Sequence, residues 1–442
     1  MHANKLAPVF DHGLFDAEWY QQTYLDVQML GMCSAKHYRK YGHRLQRAPS
    51  AAVQKDPAML AAIGLPAPRP HAALLAASKI AQTHGFECGI NYAALHVAAT
   101  RRYTIDPLRA NAELHRGHET GWLNHVNRYL QHFGAAAVHL RQGSTFLDRL
   151  ACETKLPPVT DGPLVSIIMP AWNAAQTIQP AVRSILNQSW QNLELLIVDD
   201  ASTDDTWDKL QHLAGQDNRV RIFRNARNVG PYVSKNMALS YVAGEWITGH
   251  DADDWAHPQR IEQHMNHVLA ARDEYPVSST YMARIEPDGK FTSFSNVTSG
   301  LTNDGVSRQS AISTLFDRQF LENRLGHWDS VRFGADSEML SRAACATGRK
   351  PAILQLFGML CLSTEGSLTN HPEFGIVAGG GGLSRLRLEY RDVWSKMHKT
   401  QSMDACYLPF PLSASLYNSP ASHFVDIDDV RHILAQHQAA RA

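Results

Sequence analysis

The chain lacks several features that mark common functional classes. Its 442 residues carry 42 basic and 42 acidic side chains, so no excess of positive charge favours nucleic acid as a partner. Neither His-Glu-x-x-His nor a paired Cys-x-x-Cys occurs, which argues against a hydrolytic or structural zinc site. No apolar run reaches the roughly 18 residues that a membrane-spanning helix needs.

Cysteine is scarce, and the six cysteines lie far apart in a long chain, which is typical of reduced thiols rather than a disulfide framework. The first residues, Met1 to Lys5, show no apolar segment of a secretion signal. We therefore expect a cytoplasmic protein. Peripheral association with the inner face of the cytoplasmic membrane stays open at this point.

Acidic residues are concentrated after an apolar, strand-like run at residues 244–249. Asp251, Asp253 and Asp254 supply three carboxylates within four positions. Carboxylates this close repel one another, and such a cluster usually persists because a cation neutralises it. Hard oxygen ligands of this kind suit Mg²⁺ or Mn²⁺. The cluster is therefore a candidate metal site.

From residue 164 onward, apolar runs alternate with segments of helical spacing. The runs at 164–169, 193–198, 220–223 and 246–248 predict strands, the first of them ended by Pro170. This alternation predicts an α/β fold with a Rossmann-like, mostly parallel sheet flanked by helices. The second run also ends in acids, Asp199 and Asp200, so two acid groups should meet at one carboxyl edge, where open α/β sheets bind ligands.

The residues before the sheet predict an α-helical N-terminal region. Asp16 can cap a short aromatic helix, and Gly42 can close another in the left-handed conformation. Proline-rich stretches mark two boundaries. We predict a small helical module at 1–56, a linker and helical region at 57–160, the α/β domain at 161–420 and a C-terminal helix or tail at 421–442.

Four motifs, spread in order over about ninety residues, are similar to those of family 2 glycosyltransferases, which have the GT-A fold. They are Pro-Leu-Val-Ser-Ile-Ile-Met-Pro-Ala-Trp-Asn (163–173), Ile-Val-Asp-Asp-Ala-Ser-Thr-Asp (197–204), Asn-Val-Gly-Pro (228–231) and His-Asp-Ala-Asp-Asp (250–254). The similarity continues more loosely to about residue 390. It implies transfer of a sugar from a nucleoside-diphosphate sugar, with UDP as the expected nucleotide.

The resemblance also implies a metal site of the Asp-x-Asp type. Asp253 would contact Mn²⁺ or Mg²⁺, and Asp251 would lie near the metal or the ribose. A bound divalent cation would meet the charge that develops on the leaving diphosphate. His371 is a further candidate ligand, although a lone histidine is more often an ordinary surface or core residue.

For the nucleotide, the resemblance implies three further contacts. Asp200 would accept a hydrogen bond from the base, and Lys235 would lie near the base or the phosphate. The turn that contains Pro170, Ala171 and Asn173 would lie against the nucleoside.

Simpler roles are open for neighbouring residues. Asp199 can be a buried structural acid, and Asp204 and Asp205 can cap the following helix. Arg224 and Arg227 can form a solvated face or grip a phosphate, and the solvated face is favoured.

The segment at residues 325–339 resembles the part of the family that holds the catalytic base. Asp336 is the first candidate and Glu338 the second, because relatives often carry Glu-Asp where this chain has Ala335-Asp336. Direct attack by a hydroxyl, with one general base, inverts the anomeric centre. In an alternative role, Asp336 caps a helix at 337–346.

We thus expect a metal-dependent, inverting hexosyltransferase that extends a surface or capsular polysaccharide or a glycolipid. Its partners would be a nucleotide-sugar donor and a saccharide or lipid-linked saccharide acceptor. The alternative is a catalytically silent scaffold that binds a nucleotide sugar or glycan in an assembly complex. A dinucleotide-dependent enzyme is disfavoured because no Gly-x-Gly-x-x-Gly follows the first strand.

Overall fold

A computed structural model describes residues 9–10, 13–55, 72–152, 156–295, 297, 302, 304–364, 367–368, 370, 373, 375–377, 382–412 and 423–439. The chain divides into two compact units. The first comprises Met1–His132 and Lys290–Arg308, and the second comprises Phe133–Gly289 and Gln309–Ala442.

The first unit is helical, as predicted. Its α-helices are α1 (Ala17–Thr23), α2 (Asp26–Met29), α3 (Ser34–His37), α4 (Ala51–Lys55), α5 (Ala73–His84), α6 (Phe86–His96), α7 (Asp106–His115) and α8 (Glu119–His132). A π-helix at Tyr38–Gly42 and a 3₁₀-helix at Ala99–Ile105 join them.

An aromatic core holds the N-terminal helices together. Tyr20, Tyr24 and Tyr38 are buried there, and Asp16 caps α1 by accepting the Trp19 N–H at 2.9 Å, as predicted. Gly42 does not close a helix in the left-handed conformation, contrary to the prediction. It is the last residue of the π-helix, where a Cβ atom would collide with the Tyr20 hydroxyl. Glycine is needed at this position for close packing.

The second unit contains the sheet. Its strands are β1 (Val138–Leu140), β2 (Leu150–Cys152), β3 (Val165–Ala171), β4 (Leu193–Asp199), β5 (Val220–Arg224), β6 (Trp246–Gly249), β7 (Trp255–Ala256), β8 (Val277–Ile285), β9 (Arg308–Gln309, at the boundary), β10 (Leu315–Asp317), β11 (Ala352–Leu362), β12 (Ile376–Val377) and β13 (Gly382–Leu383). Its α-helices are α9 (Phe146–Arg149), α10 (Ile178–Leu186), α11 (Thr206–Ala214), α12 (Gly230–Leu239), α13 (Arg260–Leu269), α14 (Arg318–Phe320), α15 (Ala335–Thr347), α16 (Arg385–Thr400) and α17 (Ile427–Ala439). Short 3₁₀-helices lie at Arg272–Glu274 and Met403–Ala405, and a π-helix lies at Leu321–Leu325.

The strand order of the main sheet is β5-β4-β3-β6-β10-β8-β11-β7. Strands β5, β4, β3 and β6 are parallel, which is the arrangement that the alternating pattern predicts. The other half is mixed, since β10 runs antiparallel to β6 and β8, while β11 is parallel to β8 and antiparallel to β7. The predicted α/β class with a helical N-terminal region is confirmed.

Strand β3 continues through Pro170, where the sequence predicted its end. Proline lacks an N–H and normally interrupts a central strand. The backbone N–H and C=O groups of even-numbered residues in β3 face β6. For example, the His250 N–H donates to the Ile168 carbonyl. The pairing of β3 with β6 ends at Ile168 opposite Gly249. Pro170 lies beyond that point, so no ladder bond is lost.

Helices cover both faces of the sheet. On one face, α10, α11 and α13 pack against Val165, Ile167 and Met169 of β3. On the other, α12, α15 and α16 pack against Ile168 and against the β4 residues Leu196 and Val198. Successive side chains of a strand point to opposite faces, so a buried parallel strand is apolar on both. The sheet is therefore the middle layer of three.

The two compact units divide the chain at other residues than the predicted segments, whose boundaries stay a prediction. Residues 133–160 and α17 group with the sheet, whereas 290–308 groups with the helical first unit. Helix α17 belongs to the sheet unit because Val430 and Ile433 pack with Val229, Val233 and Met237 beside α12. Among the helices of the described residues, none has both the length and the apolar character needed to cross a membrane.

Candidate functional site

The two acid groups lie at the same carboxyl edge of the sheet, as predicted. Strand β3 pairs with β4 on one side and with β6 on the other, all in parallel. Asp199 and Asp200 therefore end β4, and the loop with Asp251 and Asp253 follows β6, on either side of β3. This is the edge at which α/β sheets bind ligands.

Asp251, Asp253 and Asp254 converge in that loop. Each offers a carboxylate oxygen, and these oxygens lie within 4.8 Å of one another. Asp251 and Asp253 are half-buried, whereas Asp254 is buried and its Oδ1 accepts the Leu362 N–H at 3.0 Å. Asp254 is thus a member of the cluster that the predicted ligand pair did not include.

Burial and mutual repulsion make this cluster electrostatically costly. Burial raises the pKa of Asp251 to about 7, with Asp253 and Asp336 adding to the rise and Lys235 opposing it. Burial likewise raises the pKa of Asp253, and it raises that of Asp254 well above the usual value, together with the charges of Asp253 and Asp251. A divalent cation would remove this cost, because hard oxygen ligands are what Mg²⁺ and Mn²⁺ prefer. The donor set fits such an ion.

Asp336 lies in the first turn of α15 and accepts three hydrogen bonds. The donors are Lys235 Nζ at 2.9 Å, Trp328 Nε1 at 3.1 Å and the Tyr232 hydroxyl at 3.3 Å. The alternative capping role is not seen, because the N-cap is Gly334, at φ 89°, and no side chain caps the helix. Asp336 therefore faces α12 rather than its own helix end.

Lys235 has a different environment from the one predicted. Its ammonium is buried and pairs with Asp336, while it also lies 5.1 Å from the ring centroid of Tyr232 and 5.5 Å from that of Trp328. Its charge also acts on Asp251. In this structure the ammonium contacts Asp336, the candidate catalytic base, and the predicted contact with the nucleotide base or phosphate stays a prediction.

Glu338, the second candidate base, is held in a buried ion pair. Both of its oxygens accept from Arg342, at 2.8 and 2.9 Å, and His398 Nε2 lies 3.3 Å from Oε1. The carboxylate is fully buried, and Arg342 also donates to the His327 carbonyl at 2.7 Å. This environment corrects the prediction, because an acceptor hydroxyl cannot reach a carboxylate that arginine occupies on both oxygens.

We expect Arg342→Met to lower the free energy of unfolding by about 3–5 kcal/mol, because it leaves the Glu338 carboxylate buried without its cation. Urea denaturation of the two proteins measures this. Arg385→Met is the matched control, since Arg385 and Glu389 form an exposed pair with the same four-residue spacing. Exposed pairs contribute little, so that variant should unfold like the wild type. Equal destabilisation of both variants would contradict a structural role for Glu338.

Asp200 is buried and holds the loop that precedes α12. It accepts the N–H groups of Val229 at 3.0 Å and Gly230 at 2.7 Å, and the Asn225 amide at 2.8 Å. Burial raises its pKa, and these hydrogen bonds oppose that rise. Gly230, at φ 80°, occupies a conformation that favours glycine. In this structure Asp200 holds the loop before α12, and its predicted contact with the nucleotide base stays a prediction.

The segment after β3 connects the ends of β3 and β4. Pro170 and Ala171 are the last residues of β3 rather than a turn. Asn173, at φ 48°, accepts the Thr203 N–H at 2.9 Å, and its own N–H donates to the Ser202 hydroxyl at 2.9 Å. Between them Trp172 is 58% exposed, so an aromatic face lies open at the edge that carries the acids.

The structure supports the simpler roles of several neighbouring residues. Asp204 accepts the Thr206 N–H at 3.0 Å at the start of α11, as the capping alternative predicted. Asp199 is fully buried, and its Oδ2 lies 3.0 Å from Arg224 Nε, as a structural acid would. Arg227 lies 2.7 Å from Asp429 at the surface.

The last candidate ligand, His371, lies outside the described residues. Four other groups near the acids were not singled out from the sequence: Tyr232, Trp328, Arg284 and Arg387. Tyr232 and Lys235 are three positions apart on α12, so helical spacing was a usable signal for Tyr232. Trp328 lies in a segment whose similarity to relatives was recognised, but no rule assigned it a role.

The two arginines carry no such signal. Arg284 lies in β8, and its charge opposes the burial-driven rise in the pKa of Asp253. Arg387 lies in α16, 5.0 Å from the ring centroid of Phe333, and donates to the Leu368 carbonyl at 3.1 Å. Distant segments bring these cations towards the acids, and only the fold reveals that arrangement.

Residues 166–322 match the sequence model of the family described as "Glycosyl transferase family 2". Three relatives named as glycosyltransferases illustrate the similarity. An uncharacterized protein of Haemophilus influenzae is 38% identical over 107 residues, 24% of this chain and 43% of its own. WcaA of Escherichia coli, putatively for colanic acid biosynthesis, is 39% identical over 109 residues, 24% of this chain and 38% of its own. TuaG of Bacillus subtilis, putatively for teichuronic acid biosynthesis, is 32% identical over 154 residues, 35% of this chain and 60% of its own.

The chain thus spans between 38% and 60% of the length of these three relatives. Among solved structures, that of Staphylococcus aureus TarS in complex with UDP-GlcNAc is similar with 17% identity and a TM-score of 0.37. That similarity covers 46% of this chain and 60% of the TarS chain.

Proposed function

We propose that the chain transfers a sugar from a UDP-sugar to a hydroxyl of a growing polysaccharide or glycolipid, because residues 166–322 match the sequence model of glycosyl transferase family 2. The observation that carries this proposal is the convergence of Asp251, Asp253 and Asp254 at one sheet edge, with Asp336 close enough to raise the pKa of Asp251. The names of the E. coli and B. subtilis relatives support a polysaccharide product. A cytoplasmic location, with or without contact to the membrane surface, belongs to the same proposal.

In this proposal Asp251, Asp253 and Asp254 hold a divalent ion, Mn²⁺ or Mg²⁺. The bound ion would stabilise the negative charge that develops on the leaving diphosphate. Asp254 orients the cluster, since the Leu362 N–H fixes its Oδ1. His371, the further candidate ligand, lies outside the described residues.

The nucleoside would lie at the ends of β3 and β4. There Pro170, Ala171 and Asn173 form the floor, and the exposed Trp172 ring offers a stacking face for a base. Asp200 holds the loop at Asn225–Gly230 in place and is our candidate for contact with the base. Support for UDP as the nucleotide comes from the family resemblance of these motifs.

Asp336 is the proposed general base. The acceptor O–H bond breaks as its proton moves to the Asp336 carboxylate, and the acceptor oxygen forms a bond to the anomeric carbon. On the opposite face, the bond from that carbon to the diphosphate oxygen breaks, and its electron pair leaves with the diphosphate. A single displacement of this kind inverts the anomeric configuration.

A donor panel tests the proposal. The purified chain is incubated with UDP-, GDP- and dTDP-sugars in Mn²⁺, in Mg²⁺ or in EDTA, and the released nucleoside diphosphate is measured. We expect release from a UDP-sugar that falls by about 100-fold or more in EDTA and returns with Mn²⁺, since a metal contributes several kcal/mol to such a transition state. Release that EDTA does not affect would contradict the metal site. Binding without release would favour the scaffold alternative, and the absence of both would contradict the transferase.

A further inference from the structure

The two oxygens of the Asp336 carboxylate have different surroundings. Oδ1 accepts two N–H donors, from Lys235 at 2.9 Å and from Trp328 at 3.1 Å. Oδ2 accepts the Tyr232 hydroxyl at 3.3 Å, which is long for an O–H donor. The side chain of Asp336 is 16% exposed. One oxygen is therefore held firmly, and the other is held weakly.

The two donors to Oδ1 are themselves fixed in place. Lys235 is 3% exposed and is flanked by the rings of Tyr232 and Trp328, so its ammonium has little freedom to move. Asn236 holds the backbone of Trp328 through a pair of hydrogen bonds. The backbone N–H of Trp328 donates to Asn236 Oδ1 at 2.9 Å, and the Asn236 side-chain amide donates to the Trp328 carbonyl at 2.8 Å. Three residues of α12 therefore contribute to this arrangement: Tyr232 and Lys235 donate to Asp336, and Asn236 holds Trp328.

We propose that Lys235 and Trp328 are positioning residues that occupy Oδ1 of Asp336 and so present Oδ2 to the acceptor hydroxyl. The inference rests on the proposed transferase function and specifies how its base is oriented. Oδ2 accepts the proton as the acceptor O–H bond breaks. The acceptor oxygen then carries the electron pair that forms the bond to the anomeric carbon, and the diphosphate leaves with the pair from the broken bond.

This inference assigns Lys235 a role different from donor binding, and kinetics separate the two roles. A residue that orients the base acts on the chemical step and changes kcat, whereas a residue that only binds the nucleotide in the ground state changes KM for the donor. A cation at the diphosphate would also change kcat, so the uncharged Trp328 separates orientation of the base from stabilisation of the leaving group. The arrangement also predicts which replacements are tolerated. Arginine at position 235 still donates to a carboxylate, while methionine does not.

The test uses the full chain and nucleoside diphosphate release from the UDP-sugars of the donor panel, with UDP-GlcNAc included. We expect Trp328→Phe and Lys235→Met to lower kcat by about 10- to 100-fold, with KM for the donor within about threefold of wild type. Lys235→Arg should retain most of the wild-type kcat. Trp394→Phe is the matched control, because its indole N–H has no described hydrogen-bond partner, and its kcat should equal that of the wild type.

The outcomes distinguish the inference from the function on which it rests. No release by the wild type with any donor would overturn the proposed function and the inference with it. An active wild type with unchanged kcat in Trp328→Phe would overturn the inference alone. The same holds if Lys235→Met raises KM at constant kcat, or if Lys235→Arg is as impaired as Lys235→Met. Because Trp328→Phe and Lys235→Arg keep the bulk and the charge of the site, the test does not depend on whether Lys235→Met folds.

Discussion

Asp336→Asn is expected to reduce nucleoside diphosphate release by about 10²- to 10⁴-fold, which is the usual contribution of a general base. Asparagine has nearly the shape of aspartate and keeps an acceptor for the Trp328 indole, but it does not take up the proton of the acceptor. Binding of Mn²⁺ and UDP should stay within about threefold of wild type, since Asp336 is not among the proposed metal ligands. The separation of binding from turnover is the signature of this role.

The control for this variant is Asp404→Asn, which removes a carboxylate that is 90% exposed and pairs with Arg324. Its release rate should equal that of the wild type. Because Asp336→Asn also removes the charge partner of buried Lys235, thermal unfolding of the variant is compared with that of the wild type at the assay temperature. A folded Asp336→Asn variant with release within threefold of wild type would contradict the assignment of the base.

Asp253→Ala is expected to abolish Mn²⁺-dependent UDP binding and to lower release by at least about 10³-fold, because the ion that stabilises the leaving diphosphate loses a ligand. Asp205→Asn is the control, since it removes an exposed acid from the neighbouring β4–α11 loop, outside the cluster. That variant should bind UDP and release it from the donor as the wild type does.

Asp253→Ala should not destabilise the metal-free protein, although it abolishes metal binding. Asp253 contributes to the raised pKa of Asp251 and of Asp254 by like-charge repulsion, so its removal relieves strain in the metal-free protein. The melting temperature in EDTA should stay equal or rise, and Mn²⁺ should no longer increase it. A variant that melts well below wild type in EDTA, yet still responds to Mn²⁺, would contradict the metal role of Asp253.

Much of the sheet was predictable because its strands are buried on both faces and its helices are amphipathic. Strands β3, β4 and β6 come from mostly apolar runs, and the acids that end β4 or follow β6 lie at the predicted edge, whereas β5 is only partly buried. The sheet and the helices of the first unit confirm the α/β class with a helical N-terminal region. The prediction that β3 ends at Pro170 was wrong. A proline interrupts a strand only where the neighbouring strand requires a backbone N–H at that position, and this depends on the register of the pairing.

The roles of individual charges were less predictable, because they depend on partners that are distant in sequence. Lys235 and Asp336 are 101 residues apart and form an ion pair, and no local pattern distinguishes that from a phosphate contact. Glu338 is two residues from Asp336, yet α15 turns it to the opposite side, where Arg342 holds it. The contact between Lys235 and Asp336 could not be predicted because the two residues are far apart in sequence. Asp336 and Glu338 have different environments because they lie on different sides of α15.

In the proposed enzyme the Asp251–Asp254 loop binds metal and nucleotide, and Asp336 performs the proton transfer. Calorimetric titration of UDP in Mn²⁺ or EDTA into wild type, Asp253→Ala and Asp336→Asn tests it most directly. We expect binding that requires Mn²⁺ in the wild type, no binding by Asp253→Ala, and binding close to that of the wild type by Asp336→Asn. UDP that binds equally well in EDTA, or to Asp253→Ala, would contradict the account.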